Sequence, residues 1–429
     1  MKHALDFEKA FRVAVLGLAM LFARTAHADT FEVDTTADLP DDGLGATACH
    51  TSAGTCSLRA AVMKSNQIGG SNIIHVPDGI YLLTIPWNGL DEDYMGDLNI
   101  YQSLTITGQG AGRTIIDANQ IDRAFNIESG GVVVLSDVTI RNGGSEIFGG
   151  GIYIEGMLTI THSVIEGNHA NWGGGIYVIG SLTLVGSIIR SNSALSGGGG
   201  ISSAGSATVR DSTLYGNGAS FGGGIDVEGE FSPFLYVVDS TISGNYANAD
   251  GGGIFSNFDT RTFIYNTTVV GNDADHDHDE NGGIGGGVYA RASSRFMVVN
   301  ALIAGNSVGN TPIADNCNGA LEAYGMNLLD EREGCTTTTS DSNLGFISLN
   351  TIGPLQDNGG PTPTHALLTN SEAIDNTIDS LGCVDETGSQ LTTDQRGAPR
   401  VAGARCDVGA FEYGATVPVD DRIFEDGFE

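Results

Sequence analysis

The densest group of chemically capable side chains in this 429-residue chain is the run Asp273-Ala274-Asp275-His276-Asp277-His278-Asp279-Glu280. Carboxylates at every second position offer hard oxygen ligands, as at the start of a calcium-binding loop. Asp273, Asp275, Asp277 and Asp279 are therefore the candidate metal ligands, and calcium is the candidate cofactor. The run departs from a complete EF-hand pattern. His278 stands where the sixth position needs glycine, and Ile284 where the twelfth needs glutamate. The two histidines could join the acids around zinc or copper. A solvated acidic loop is the competing reading.

Other carboxylates are spread out: Asp137, Glu166, Asp211, Asp226, Glu228 and Asp239. Glycoside hydrolysis needs two of them about 5–10 Å apart. Elimination from a uronate needs acids around calcium and a basic residue near the substrate. Asp211 and Asp239 each precede a serine, Ser212 and Ser240, at equivalent places in a repeat. They should stack on adjacent coils, as an acid pair, a calcium site or two turn residues. His162, Gly186, Asn266 and Asn300 fill the same slot elsewhere. No residue is assigned as catalytic. His365, Asp394, Arg396 and Asp407 read as a structural polar network. Tyr153, Trp172, Tyr177, Phe221, Phe255 and Tyr289 flank glycine-rich corners, where they would stack on sugars if exposed or fill the core if buried. Gly108-Gln109-Gly110-Ala111-Gly112 lacks the GxGxxG pattern, and no GxSxG elbow occurs.

Charge narrows the partners. The chain has 19 Lys and Arg against 52 Asp and Glu, a net charge of −33. That excludes nucleic acid, which needs basic contacts to phosphate. Such a surface attracts cations and repels anionic sugars unless cations intervene.

The elements that must position these groups come from a repeat. Asn168, Asn192, Asn217, Asn245, Asn272 and Asn306 recur 24, 25, 28, 27 and 34 residues apart. Aliphatic residues repeat with them in three columns. The first is Ile165, Ile189, Leu214, Ile242, Val269 and Ile303. The second is Ile160, Leu184, Val209, Val237, Ile264 and Val298. The third follows glycine clusters: Ile152, Ile176, Ile201, Ile225, Ile254 and Val288. Local alternation, as in Leu158-Thr159-Ile160, is strand periodicity. Several short strands per repeat of about 24 residues, each bounded by Gly or Asn, specify an all-β fold, a single-stranded parallel β-helix. The Asn column reads as a ladder bonding successive turns. Leu58, Ala61 and Val62 share one helical face behind Ser57 as N-cap, predicting a short helix over the first coil.

Residues 1–28 read as a signal peptide. They comprise a basic start, the apolar run from Val13 to Ala23, and Ala26-His27-Ala28 with cleavage between Ala28 and Asp29. The remaining organisation is an N-terminal cap at 29–72, coils at 73–310, irregular C-terminal coils and a cap at 311–413, and an acidic tail at 414–429. Removing the leader leaves 15 basic residues. Export to an oxidising compartment makes disulfides of the six cysteines, most simply Cys49–Cys56, Cys317–Cys335 and Cys383–Cys406. No segment after the leader reads as transmembrane. Two aromatics in the tail, Phe424 and Phe428, suit either a recognition tag or a solvated end.

Cys56-Ser57-Leu58-Arg59-Ala60-Ala61 resembles the CSLREA motif of secreted bacterial β-helix proteins, with Ala60 in place of its Glu. Gly96-Asp97-Leu98-Asn99-Ile100 and Leu104-Thr105-Ile106-Thr107-Gly108 resemble the strands that follow it. Asp357-Asn358-Gly359-Gly360-Pro361-Thr362, Asp394-Gln395-Arg396-Gly397 and Cys406-Asp407-Val408-Gly409-Ala410-Phe411-Glu412 are similar to the choice-of-anchor Q domain. The Gly-Gly-Gly-Ile and Gly-Asn units resemble polymorphic outer-membrane protein repeats. The resemblance implies a right-handed helix and an extracellular or outer-membrane setting in a bacterium, without implying one reaction. The leading expectation is a secreted or cell-surface protein, non-enzymatic and adhesin-like, that binds a glycan or a cell surface. The alternatives are a polysaccharide lyase or glycoside hydrolase, and a structural envelope component.

Overall fold

The computed structural model describes residues 28–43, 47–87, 94–229, 232–278, 282–309, 314–378 and 382–418. The leader before Ala28 and most of the acidic tail lie outside them.

The chain winds as a right-handed parallel β-helix, as the repeat and its family resemblance lead one to expect. A regular coil carries four short strands, each pairing in parallel with its counterpart one coil on. One such coil runs Ile152–Ile154, Met157–Thr161, Val164–Glu166 and His169–Trp172. We number the resulting strand stacks one to four in that order. Stacks one and two join into a 20-stranded sheet, and among the described residues stacks three and four hold 11 and six strands. The junction is the long strand Cys317–Tyr324, which pairs with both Val288–Ala290 and Arg295–Val299.

Strand alternation fills the interior. In Met157–Thr161, Leu158 and Ile160 point inward and their neighbours outward. Leu158 pairs with Leu182 and Ile160 with Leu184 in the next coil, so like meets like at about 4.8 Å spacing. All three aliphatic columns lie in one continuous core.

Two polar ladders run beside it. Asn168 Nδ2 donates to Asn192 Oδ1 at 2.9 Å, and the contact repeats through Asn217, Asn245, Asn272, Asn306 and Asn316. Each of these amides is buried, so each bond replaces hydration lost on folding. The second ladder escaped the sequence reading. The backbone N–H of Ser163 donates to Ser187 Oγ, Ser187 to Ser212, and Ser212 to Ser240, at 3.1, 3.1 and 3.2 Å. The residues just before that ladder turn the chain from stack two to stack three. His162, Gly186, Asp211, Asp239, Asn266 and Asn300 all have φ between 46° and 54°, a left-handed region that Gly, Asn and Asp enter most readily.

The N-terminal end is closed by helix α1 (Leu58–Ile68), whose N-terminus Ser57 caps by accepting the Ala60 N–H. Its buried Arg59 and Lys64 pair with Asp38 and Asp41, at 2.6 and 3.1 Å. Cys49–Cys56, Cys317–Cys335 and Cys383–Cys406 are bonded as the simplest pairing expects.

Irregular coils and a cap are the expectation for 311–413. Coils continue through Leu344–Phe346, the last strand of stack three. The chain then runs back along the flank of the helix, over the outer face of stack three. Leu302, Ala304 and Leu328 of that face pack against Ile347, Leu367, Val408 and Phe411 of this strap. The outward residues of stack three are apolar or hydroxylated there, which is why the face needs a cover.

Candidate functional site

In stack one each strand offers three residues, and the middle one points outward because its neighbours are core. Ile225 and Val227 are fully buried in the core, so Asp226 between them faces out. Strand register places nine such residues in one column: Asn99, Asn126, Tyr153, Tyr177, Ser202, Asp226, Phe255, Tyr289 and Asn318. A second column at the end of stack four reads Phe148, Trp172, Gly197 and Phe221. Between them the aromatics make two platforms. Tyr153 and Tyr177 lie parallel within 1°, centroids 5.9 Å apart, with Phe148 at 4.5 Å from Tyr177. Phe221, Phe255 and Tyr289 follow one another at 5.2 and 5.4 Å.

In the stack-one column the rings are interrupted at Ser202 and Asp226. Tyr177 to Phe255 is three coils, ~14 Å at strand spacing. Gly197 stands here where neighbouring coils carry rings, and a Cβ on it would collide with Asp226 Oδ2 and the Trp172 ring. The missing side chain makes the space that the carboxylate fills.

Asp226 is 1% exposed, and neither of its oxygens has a hydrogen-bond partner among the described residues. Glu228 lies two residues on, half-buried. Burial, then the Glu228 charge, push the Asp226 carboxyl well above the ordinary range, against the pull of Arg291. Burial raises Glu228 to about 7. Tyr177 is raised to about 12 by burial, then by Glu228 and Asp226. Both acids line a cavity of about 100 Å³ with Trp172, Phe221, Phe255, Asn257 and Arg291. The Arg291 guanidinium sits 5.2 Å over Phe255 and 4.9 Å over Phe258 and donates to Asn257 Oδ1 at 3.4 Å.

A separate cavity of about 510 Å³ lies N-terminally on the same face, along Trp87, Phe148 and Tyr153. There Arg123 lies 5.2 Å over Tyr153 and pairs with Asp97 at 3.2 Å. An adjoining cavity of about 690 Å³ runs under His169, Asn171 and Leu195 on stack four.

Asp226 buried without a partner has a pH signature. Its folded state holds the proton more tightly than the unfolded chain, whose carboxyl ionises near ~3.9. Stability is therefore full below that pH and is lost as pH rises towards the folded value. Asp226→Asn is expected to raise the melting temperature at pH 8 and to change it little at pH 4. Equal melting curves at both pH values count against the burial.

The other expected residues lie elsewhere. Asp211 and Asp239 do stack, but on the turn between stacks two and three, beneath the strap. Burial raises Asp211 to about 7 and lifts Asp239 well above the ordinary range, although Arg400 Nη1 sits 3.3 Å from Asp239 Oδ1. They are buried turn residues, remote from the groove. In the acidic run, Asp273 accepts from Ser307 Oγ at 2.7 Å and contacts His276 Nδ1 at 2.9 Å. Asp275 is partly buried, Asp277 is exposed, and Asp279 lies outside the described residues. Among the described residues no three His, Cys, Asp or Glu side chains come together as a metal site. His365 bonds Ser243 Oγ at 2.9 Å and the Gly353 carbonyl at 2.8 Å, and burial lowers its pKa. Arg396 pairs with Asp394 at 2.6 Å and donates to the Glu412 carbonyl at 2.8 Å. Asp407 accepts from the Asp375 and Tyr413 N–H groups at 2.7 and 2.6 Å. These residues fasten the strap. Arg291, Gly197 and Asn257 were missed.

No family model matches the chain, and no curated protein does. Among solved structures it is similar to the crystal structure of pectate lyase Pel9A, at 13% identity and a TM-score of 0.50. That likeness covers 90% of this chain and 97% of that one. At this identity it establishes the β-helix fold alone. No helix among the described residues is long and apolar enough to cross a membrane.

Proposed function

We propose that this is an exported, non-enzymatic protein that binds an extended glycan along the stack-one groove. The observation that carries this is the set of aromatic rings on the outer face of stacks one and four, of which Phe148, Tyr153, Trp172, Phe221 and Tyr289 are half-buried and line the cavities at Tyr153 and at Asp226 or flank them. Sugar rings present C–H faces that pack on aromatic faces, and their hydroxyls bond polar groups at the rim. Tyr153 and Tyr289 are half-buried on this face, and the buried rings of Tyr177 and Phe255 pack beside them. The three disulfides fit an oxidising compartment and so support export. Trp172→Ala and Tyr153→Ala are each expected to weaken glycan binding at least tenfold with a cooperative unfolding transition retained, measured by calorimetry against ligands found on a glycan array. Undiminished binding in both variants would remove the groove from the account.

The fold shared with a pectate lyase favours a second reading, a polysaccharide lyase. Uronate oligomers incubated with the purified protein distinguish the two. Unsaturated products would replace the binding reading with the enzymatic one.

A further inference from the structure

The geometry points to a subsite at Asp226 and Glu228 for a sugar bearing a protonated primary amine. This rests on the glycan-groove reading and names the ligand's chemistry. Asp226 is buried, unpartnered and on the wall of an open cavity, so the cavity lacks whatever its carboxylate is suited to bond.

Three features favour an ammonium. First, the cavity joins carboxylates to ring faces: Asp226 and Glu228 meet Trp172, Phe221 and Phe255. Burial makes these acids hold their protons within the cavity; an entering ammonium would displace them to solvent and meet carboxylates, and the negative faces of aromatic rings attract a cation as well. Second, Arg291 offsets Asp226 only in part. It is held over Phe255 and Phe258, and no ion pair within 4.0 Å joins it to Asp226 or Glu228 among the described residues. Third, an ammonium has three donors, and the two unpartnered oxygens of Asp226 together with the Glu228 carboxyl supply acceptors on the cavity wall. Calcium would need six to eight oxygens, and the opposing walls are rings.

The cavity volume of about 100 Å³ admits the amine-bearing edge of one sugar and no more. The platforms on either side would hold the neighbouring units. A chain with net charge −33 concentrates a cationic glycan near its surface and repels a uronate polymer.

The test is a calorimetric panel at pH 7 on the full mature chain. The ligands are tetramers of β-1,4-linked glucosamine, N-acetylglucosamine and glucose, with calcium chloride as a separate titrant. The glucosamine tetramer is expected to bind at least tenfold more tightly than the other two. Asp226→Asn should abolish that preference and leave the weaker sugars within twofold, and Glu228→Gln should reduce it. If the three tetramers bind alike, the amine subsite falls and the groove stands. If none binds while Trp172→Ala also leaves glycan-array binding intact, both fall. Calcium binding that Asp226→Asn abolishes would make the site a metal site and overturn the proposal.

Discussion

Asn217→Ala is expected to cost about 3–6 kcal/mol, enough to unfold much of the chain at 37 °C. Asn217 Oδ1 accepts from the backbone N–H and the Nδ2 of Asn192, at 3.1 and 3.0 Å. Its own Nδ2 donates to the Ile189 carbonyl and to Asn245 Oδ1, both at 2.9 Å. Alanine leaves the Asn192 N–H and one Asn192 amide hydrogen without partners in a dry interior and takes one donor from the Ile189 carbonyl. Each such orphan costs roughly 1–3 kcal/mol. The damage spans three coils because each amide serves its neighbours. Asn217→Asp separates acceptor from donor. At neutral pH the carboxylate still accepts from Asn192 but faces Ile189 and Asn245 as oxygen against oxygen. Protonation restores one donor, so the Asp variant should recover part of its stability at pH 4. Denaturant midpoints of both variants at pH 4 and pH 7 measure this. A loss below about 1 kcal/mol for Asn217→Ala would mean the ladder adds little to coil stacking.

Arg400→Ala should be comparably severe by a different route. Arg400 is 1% exposed and comes from the strap, with its guanidinium beside Asp239 and a bond to the Gly409 carbonyl. Removing one member of a buried pair leaves the other charge uncompensated, at roughly 3–5 kcal/mol. The sign of the pH dependence follows from the acids that remain. Without Arg400, Asp239 and Asp211 are raised further, so the folded state binds protons more strongly than the unfolded chain. Stability is then retained at low pH and lost as pH rises. The gap between wild type and Arg400→Ala should be smallest near pH 4 and widest near pH 8. The double variant Asp239→Asn with Arg400→Met removes both charges and should regain most of the loss. If it unfolds as readily as Arg400→Ala, packing rather than charge dominates at this point.

Much of the architecture was legible because stacking makes sequence periodic. The Asn column predicted its own ladder, and the three aliphatic columns predicted the core. Even the groove was within reach. Stepping one residue past Ile152, Ile176, Ile201, Ile225, Ile254 and Val288 gives the outward column, with Ser202 and Asp226 between aromatics. Stepping three gives Glu155, Ile179, Ala204, Glu228, Asn257 and Arg291. Asp226 is one of six scattered acids, and its register in stack one is what sets it apart from the others. The strap was less legible. Its partners are 150 residues away, as with Thr213 and Pro363, and nothing periodic links them. Asp211 and Asp239 could be aligned with each other, but the cover that buries them comes from a part of the chain without the repeat.

The strap also works as a ruler. It bonds Thr213 through Pro363, Thr241 through Gln395, Thr268 through Ala410 and Asn300 through Gly409, each at a set place along its own length. Inserting or deleting a coil between Asp211 and Asn300 would put every later contact out of step. A coil added before Ile188 only lengthens the solenoid. Related chains can therefore gain or lose rings of the Tyr153–Tyr177 platform, while the spacing of Asp226, Phe255 and Arg291 stays fixed.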